Sequence, residues 1–125
     1  MALMFLNGGG MRGGPLHPRL QGAPLVRTAR TAARYRFYSV DGRFPAMAPA
    51  DPGWPVLGEL YDVPLEVLYD HLLPAEPPEL ELGVIQLEDG TASLATLLRT
   101  PFRLTAELTD ISELGGWRAY LERRS

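Results

Sequence analysis

The chain has 125 residues, 46% of them apolar, which is typical of a globular protein, and we expect residues 1–125 to form one domain with a buried core. Its formal net charge of −3 argues against a nucleic-acid partner, because neutralising phosphates needs a basic excess. The absence of cysteine excludes disulfides, and two histidines argue against a zinc site, so we expect no metal and no cofactor. No apolar run is long enough to span a membrane and no signal peptide is recognised, so we expect a cytoplasmic protein without a membrane partner.

Strands around a glycine-rich loop are predicted for the first forty residues. Residues 2–6 are all apolar and too few for a helix, which predicts a central strand. Residues 7–14 follow directly and contain five glycines in eight positions. A short helix is predicted over residues 15–20, and strands are predicted over residues 24–30 and 34–40.

Turn and proline signals shape the middle of the chain. Asp41-Gly42 predicts a turn. Residues 44–55 contain four prolines and are expected to form an irregular surface segment, because proline cannot donate to a strand ladder. A strand is predicted over residues 56–62. A helix from Pro64, ended by Pro74, follows, and its apolar face would hold Leu65, Leu68 and Leu72.

In the last part of the chain, the residue pattern predicts a hairpin of residues 80–87 with residues 92–98, followed by a helical turn capped by Asp110. A terminal helix is predicted over residues 116–121, and it would bury Trp117, Tyr120 and Leu121. Strands dominate and helices are short. The pattern therefore indicates an α+β fold with a mostly antiparallel sheet that could close into a barrel.

The glycine-rich loop is the first candidate site. Glycine leaves backbone N–H groups uncovered, so Gly8, Gly9 and Gly10 could donate to a developing oxyanion or to a carboxylate. The loop matches neither a Walker motif nor the long βαβ context of a dinucleotide fold. The alternative is a flexible surface turn without a ligand.

Carboxylates are the main candidates for acid/base chemistry. If Glu59 faces the interior, its pKa should be raised, which would suit proton transfer; the alternative is an outward-facing strand residue. Glu76, Glu79 and Glu81 cluster around the Pro77-Pro78 bend, where a solvated acidic face is the alternative for each. Glu76 differs from the other two because it lies on a loop, where catalytic groups are often placed.

Two basic side chains lie in or next to the loop. Arg12 could bind a substrate carboxylate through two hydrogen bonds, or it could be solvated. His17 follows on the predicted helix and could equally be a surface histidine. Five other arginines are expected to form a solvated strand face; they are Arg27, Arg30, Arg34, Arg36 and Arg43.

Three features occur in a familiar order along the chain: the strand with its glycine loop, residues 27–32 (Arg-Thr-Ala-Arg-Thr-Ala) and residues 58–63 (Gly-Glu-Leu-Tyr-Asp-Val). In this order they resemble the gamma-glutamylcyclotransferase-like superfamily, and the resemblance covers nearly the whole chain. The ending, Asp110-Ile111-Ser112 and residues 115–121 (Gly-Gly-Trp-Arg-Ala-Tyr-Leu), is most similar to the C-terminal domain of allophanate hydrolase.

The resemblance implies a small barrel with a pocket over the glycine loop. In the cyclotransferases the loop amides hold a γ-glutamyl substrate, a glutamate moves the proton, and the products are 5-oxoproline and an amine. The position nearest to that glutamate is Glu76. The loop residues implied to contact substrate are Asn7, Gly8, Gly9, Gly10 and Met11, with Arg12, His17 and Glu59 as additions. A homodimer is implied as well.

Some residues depart from both patterns. Asn7-Gly8-Gly9-Gly10 stands where cyclotransferases carry Tyr-Gly-Ser/Thr-Leu, and Gly10 and Pro18 stand where the allophanate domain carries histidines. Loop geometry therefore transfers more readily than the substrate.

Three functions follow from the residues and the resemblance. The leading one is a small stand-alone enzyme that cleaves or cyclises a γ-glutamyl-type acidic amide, with Glu76 as acid/base. The second is decarboxylation of a carboxylated urea, which predicts a cationic pocket with Arg12 and His17 facing in. The third is a non-catalytic partner subunit of an amidase, which predicts Glu76, Glu79 and Glu81 pointing to solvent.

Overall fold

The computed structural model describes residues 2–102 and 106–124, which form an α+β fold of two β-sheets with few helices. The described strands are β1 (Ala2–Leu6), β2 (Leu25–Arg30), β3 (Tyr35–Val40), β4 (Phe44–Pro49), β5 (Leu57–Val63), β6 (Leu80–Gln86), β7 (Ala92–Leu98) and β8 (Leu108–Asp110). The described helical segments are 3₁₀ turns at His17–Leu20 and Ser112–Leu114, α1 (Leu65–Val67) with its continuation through Ala75, and α2 (Trp117–Arg124).

Strand β1 lies at the centre of a five-stranded sheet with the order β2-β5-β1-β7-β6. It pairs antiparallel with β5 and parallel with β7, while the other described neighbours in this sheet pair antiparallel. Met4, Phe5 and Leu6 are buried, as expected for a strand that has neighbours on both edges. The central strand predicted from residues 2–6 is confirmed, and the glycine loop begins where this strand ends.

A three-stranded sheet, β4-β3-β8, contains a strand that the sequence did not predict. β4 covers part of residues 44–55, for which the prediction of an irregular segment was wrong. Its prolines, Pro45 and Pro49, are four residues apart, so both ring nitrogens face the same edge of the strand. β4 is an edge strand, and proline is tolerated where the missing N–H would point away from the sheet.

The expected closed barrel is not found among the described residues. A closed barrel would need β2 and β6, the outer strands of the larger sheet, to pair along their length. They instead meet at one end, where Thr31 bridges to Leu87 and the amide of Ala32 donates to the carbonyl of Gln86 at 2.9 Å. The two sheets instead pack on each other. Phe5 and Tyr61 of the larger sheet share one buried cluster with Phe37 of the smaller.

The helical segments differ from their predicted limits. Leu68 and Leu72 are buried but Leu65 is 59% exposed, so the apolar face covers only part of the segment. α1 continues as a π-helical turn (Leu68–Leu72) and a 3₁₀ turn (Leu73–Ala75) that contains Pro74 near its start, where a missing N–H is tolerated.

The terminal helix α2 buries one of the three side chains predicted for its apolar face. It extends to Arg124 and buries Trp117, whereas Tyr120 is partly buried and Leu121 is exposed. No helix in the described part of the chain is long and apolar enough to cross a membrane.

Candidate functional site

A cavity of about 270 Å³ opens where β1 ends in the glycine loop. Most of its walls come from three regions that are distant in sequence: the glycine loop, the start of β4 and the segment after the helical turns. The lining residues are Leu6, Asn7, Gly8, Gly9, Gly10, Pro15, Leu16, Arg43, Phe44, Pro45, Ala75, Glu76, Pro77, Leu80, Thr96 and Trp117.

The glycine loop holds its shape through its carbonyls and leaves amides free. The carbonyl of Gly8 accepts from the amide of Met11 at 3.1 Å, and that of Gly9 accepts from the amide of Leu16 at 2.8 Å. The amides of Gly8, Gly9 and Gly10 donate to no acceptor in the described part of the chain. These three residues line the cavity, and their N–H groups are the candidate donors for a ligand.

Close packing explains why position 8 of this loop is glycine. A Cβ at Gly8 would lie 2.6 Å from Cγ of Pro45 across the cavity wall. The backbone of Gly8 itself lies outside the left-handed region, so the requirement there is space and not conformation. A side chain at this position would therefore push the loop and β4 apart.

Glu76 is an acid without a partner in this cavity. It follows the 3₁₀ turn, its side chain is partly buried, and none of the described residues donates a hydrogen bond to its carboxyl group. Burial disfavours the charged form and raises the pKa of Glu76 to about 7. A carboxyl group with this pKa exchanges a proton readily near neutral pH.

Glu59 is buried as well, but its environment has the opposite effect. Its side chain is 1% exposed and lies behind the loop, where Oε1 accepts from the amide of Arg12 at 2.8 Å and from the hydroxyl of Tyr61 at 2.9 Å. Its Oε2 accepts from Nε of Arg12 at 2.8 Å and from Arg118 at 3.4 Å. Burial alone would raise the pKa of Glu59, but these bonds and charges offset burial and hold it below its ordinary value. The raised pKa expected from the sequence is therefore wrong.

The same network fixes the back of the loop. Burial, followed by the bond to Glu59, raises the pKa of Tyr61 to about 12. Arg118 of α2 donates to the carbonyl of Arg12 at 2.6 Å, and the His17 ring donates through Nδ1 to the carbonyl of Gly10 at 3.0 Å. The His17 and Tyr61 rings lie 5.7 Å apart. These side chains tie the loop to β5 and to α2.

The structure divides the predicted site residues into two groups. Asn7, Gly8, Gly9, Gly10 and Glu76 line the cavity. The other four lie behind the loop and do not line this cavity; they are Met11, Arg12, His17 and Glu59. Met11 is 5% exposed and belongs to the core.

Sequence reasoning assigned Trp117 and Arg43, two residues of the cavity wall, to other places. Trp117 was expected only as part of a buried helix face, yet it lines the cavity while its ring stacks on Tyr120 at 5.1 Å. Arg43 was expected on a solvated face, yet it too lines the cavity. The sequence shows that Arg43 follows the Asp41-Gly42 turn, but it does not show that the fold brings this turn to the same cavity as residue 76.

Met11 and Glu59 line a separate pocket of about 210 Å³, whose wall also includes Trp117 and Arg118. A wider depression of about 570 Å³ lies beside β8 and α2, where Arg36 pairs with Asp110 at 3.0 Å, but it shares no residue with the glycine loop. No group of three or more histidine, aspartate or glutamate side chains that could hold a metal ion occurs within residues 2–102 and 106–124.

Comparisons with known proteins agree on the family. The model of the allophanate hydrolase C-terminal domain matches residues 2–122. Urea amidolyase of Saccharomyces cerevisiae is 27% identical over 123 residues, which is 92% of this chain but 7% of the yeast protein. The chain thus spans less than a tenth of that relative's length.

Solved structures show the same likeness. A uropathogenic E. coli-specific protein, c4763, is 36% identical with a TM-score of 0.87 over 97% of this chain and 95% of its own. Kluyveromyces lactis allophanate hydrolase is 23% identical with a TM-score of 0.89 over 99% of this chain and 21% of its own, which shows the same fold. The resemblance recognised in the sequence is confirmed, and the chain belongs to the allophanate hydrolase C-terminal domain family.

Proposed function

We propose that this chain is an acid/base enzyme that breaks a C–N bond next to a carbonyl in a small acidic amide, with Glu76 carrying the proton. The observation that carries the proposal is the placement of a partner-free carboxyl group, with a pKa of about 7, in the same cavity as the uncommitted amides of Gly8, Gly9 and Gly10. An acid/base group beside preorganised N–H donors is the arrangement that acyl transfer requires.

A γ-glutamyl amide is the substrate class that we propose, because the reaction implied by the resemblance uses one acid/base group and one set of N–H donors. The free amine of the substrate attacks its own side-chain carbonyl, and the glycine-loop amides stabilise the oxyanion that forms. Glu76 accepts the proton from the attacking nitrogen and delivers it to the departing nitrogen as the old C–N bond breaks. The products are 5-oxoproline and a free amine.

Decarboxylation of a carboxylated urea is the second candidate, and the family match favours it. Here the bond between nitrogen and the carboxylate carbon breaks, CO₂ departs, and the electron pair left on nitrogen takes a proton from Glu76. The cationic pocket expected for this reaction would contain Arg12 and His17, and both lie behind the loop instead. This placement is why we rank the reaction second.

Turnover of γ-glutamyl amines and of carboxylated ureas tests the proposal, with 5-oxoproline and CO₂ as the two readouts. Glu76→Gln should abolish the active reaction. Glu81→Gln should not change it, because Glu81 is 45% exposed, lies outside the cavity and pairs with Arg99 at 3.7 Å. Equal turnover in wild type and Glu76→Gln would refute the role of Glu76. No turnover by the folded wild-type protein would favour the amidase-subunit hypothesis.

The pH profile distinguishes the two reactions. Cyclisation uses ionised Glu76 as the initial base, so kcat/KM should rise through pH 7, where Glu76 loses its proton. Decarboxylation uses protonated Glu76 as the acid, so kcat/KM should fall through the same pH. In Glu76→Gln neither limb should remain.

A further inference from the structure

Arg43 is the only cationic side chain among the described residues that line the cavity. It follows the turn between β3 and β4, and its guanidinium lies 5.1 Å from the centre of the Phe44 ring, which also lines the cavity. Nη2 of Arg43 donates to Glu79 at 2.9 Å and to Asp41 at 3.3 Å. Glu79 is only 13% exposed, so this carboxylate fixes the position of the cation beside the segment that carries Glu76.

The guanidinium keeps donors for a further acceptor. Arginine has five N–H groups, and both ion pairs use the same nitrogen, Nη2. Nε and Nη1 donate to no acceptor in the described part of the chain. The side chain of Arg43 is 59% exposed, so these donors are accessible. A carboxylate is an acceptor that suits either free nitrogen, because a hydrogen bond between two charged groups is stronger than one between neutral groups.

We propose that Arg43 binds a carboxylate of the substrate and so restricts the cavity to small anionic molecules. This inference rests on the proposed function, since it assigns Arg43 to the same cavity as Glu76 and the glycine amides. The cavity of about 270 Å³ has room for a molecule of metabolite size. The proposed substrate therefore has a carboxylate for Arg43 and, separate from it, the carbonyl that the loop amides hold.

The test is an NMR titration that needs no turnover. The probes are 5-oxoproline and its neutral amide, and the readouts are the backbone N–H signals of Gly8, Gly9 and Gly10 and the Nε–H signal of Arg43. We expect the acid to shift these signals and to bind at least about tenfold more tightly than the amide, since a bond to a charged group contributes that much. Arg43→Met should remove the difference, and Arg43→Lys should keep part of it.

Arg27→Met is the matched control. Arg27 is also exposed and ion-paired, with Asp89 at 2.9 Å, but it lies outside the cavity, so its loss should leave binding unchanged. Equal binding of acid and amide, unchanged binding by folded Arg43→Met, or no shift of the readout signals with either probe would each overturn the inference. Carboxylate binding without turnover would refute the proposed function alone, whereas turnover with no preference for acidic substrates would refute the role of Arg43 alone.

Discussion

Replacing Glu59 by glutamine tests whether a buried carboxylate holds the glycine loop. Glutamine keeps the shape of the side chain but presents an NH₂ group where one carboxylate oxygen was. Arg12 donates twice to Glu59, through its amide and through Nε, both at 2.8 Å, and each bond reaches a different oxygen. Whichever way the glutamine is oriented, one donor of Arg12 then faces another donor.

The size of the effect follows from these bonds. Tyr61 can rotate its hydroxyl and accept from the new NH₂ group, so its bond need not be lost. A bond to a charged group contributes about 1.5–3 kcal/mol, and a donor left without an acceptor costs about 1–3 kcal/mol where it is buried. We therefore expect the free energy of unfolding of Glu59→Gln to fall by about 3 kcal/mol. For a domain of this size, the melting temperature falls by roughly 10 °C.

Thermal and urea unfolding at pH 7 measure this effect. Glu81→Gln is the control, since a half-exposed pair at 3.7 Å contributes little and should change the unfolding free energy by less than about 0.5 kcal/mol. A Glu59→Gln protein that melts within about 2 °C of wild type would refute the reasoning.

The pH dependence provides an independent check. The pKa of Glu59 is lowered from an ordinary value of 4.5 in the folded state, so the unfolded chain takes up the proton first on acidification. The stability that ionised Glu59 contributes is thus complete above about pH 4.5 and is lost as pH falls through the folded-state pKa. The difference between wild type and Glu59→Gln should narrow below pH 4.5.

Three further predictions concern the cavity and the core. Glu76→Gln should be more stable than wild type at pH 8 by about 3 kcal/mol and equal to it near pH 4, because the raised pKa means that ionised Glu76 costs folding energy; urea unfolding at both pH values checks this, and a less stable variant at pH 8 would contradict it. Gly8→Ala should lower both the melting temperature and probe binding, since the new Cβ would lie 2.6 Å from Pro45. Gly9→Ala, whose Cβ would have its nearest neighbour at 3.5 Å, should keep the fold, and equal melting temperatures of the two variants would argue against a clash with Pro45. Thr31→Val should lower the unfolding free energy by about 1–3 kcal/mol, because the fully buried hydroxyl accepts from the amide of Val56 at 3.0 Å; a neutral result would mean that water replaces it.

The sequence predicted those parts of the fold that depend on local pattern. The apolar run of residues 2–6 was predicted as a central strand, and turns lie at residues 41–42 and 88–90 as predicted, the second within the predicted hairpin. The proline-rich β4 could not be predicted in this way, because an edge position is a property of the sheet. The same limit applies to barrel closure, which depends on whether β2 and β6 meet along their length.

The candidate site shows a similar division. The glycine loop and Glu76 were predicted from the loop pattern and from the family resemblance, and both line one cavity. The sequence could not show which way the side chain of Arg12 points, because its ion-pair partner, Glu59, is 47 residues away. Arg43 was missed for the same reason, since its neighbour Glu79 is 36 residues away.

The two buried glutamates show how one loop can be both rigid and open to a ligand. Glu59, behind the loop, accepts bonds from Arg12, Tyr61 and Arg118, so it is ionised at neutral pH and acts as an anchor. Glu76, in front of the loop, has burial without donors, so near pH 7 it is divided between its acid and base forms. When their surroundings shift the pKa values of two carboxyl groups in opposite directions, the two groups take different chemical roles. Glu59 thus holds the loop through Arg12, while the amides of Gly8, Gly9 and Gly10 have no acceptor among the described residues and their residues line the same cavity as Glu76.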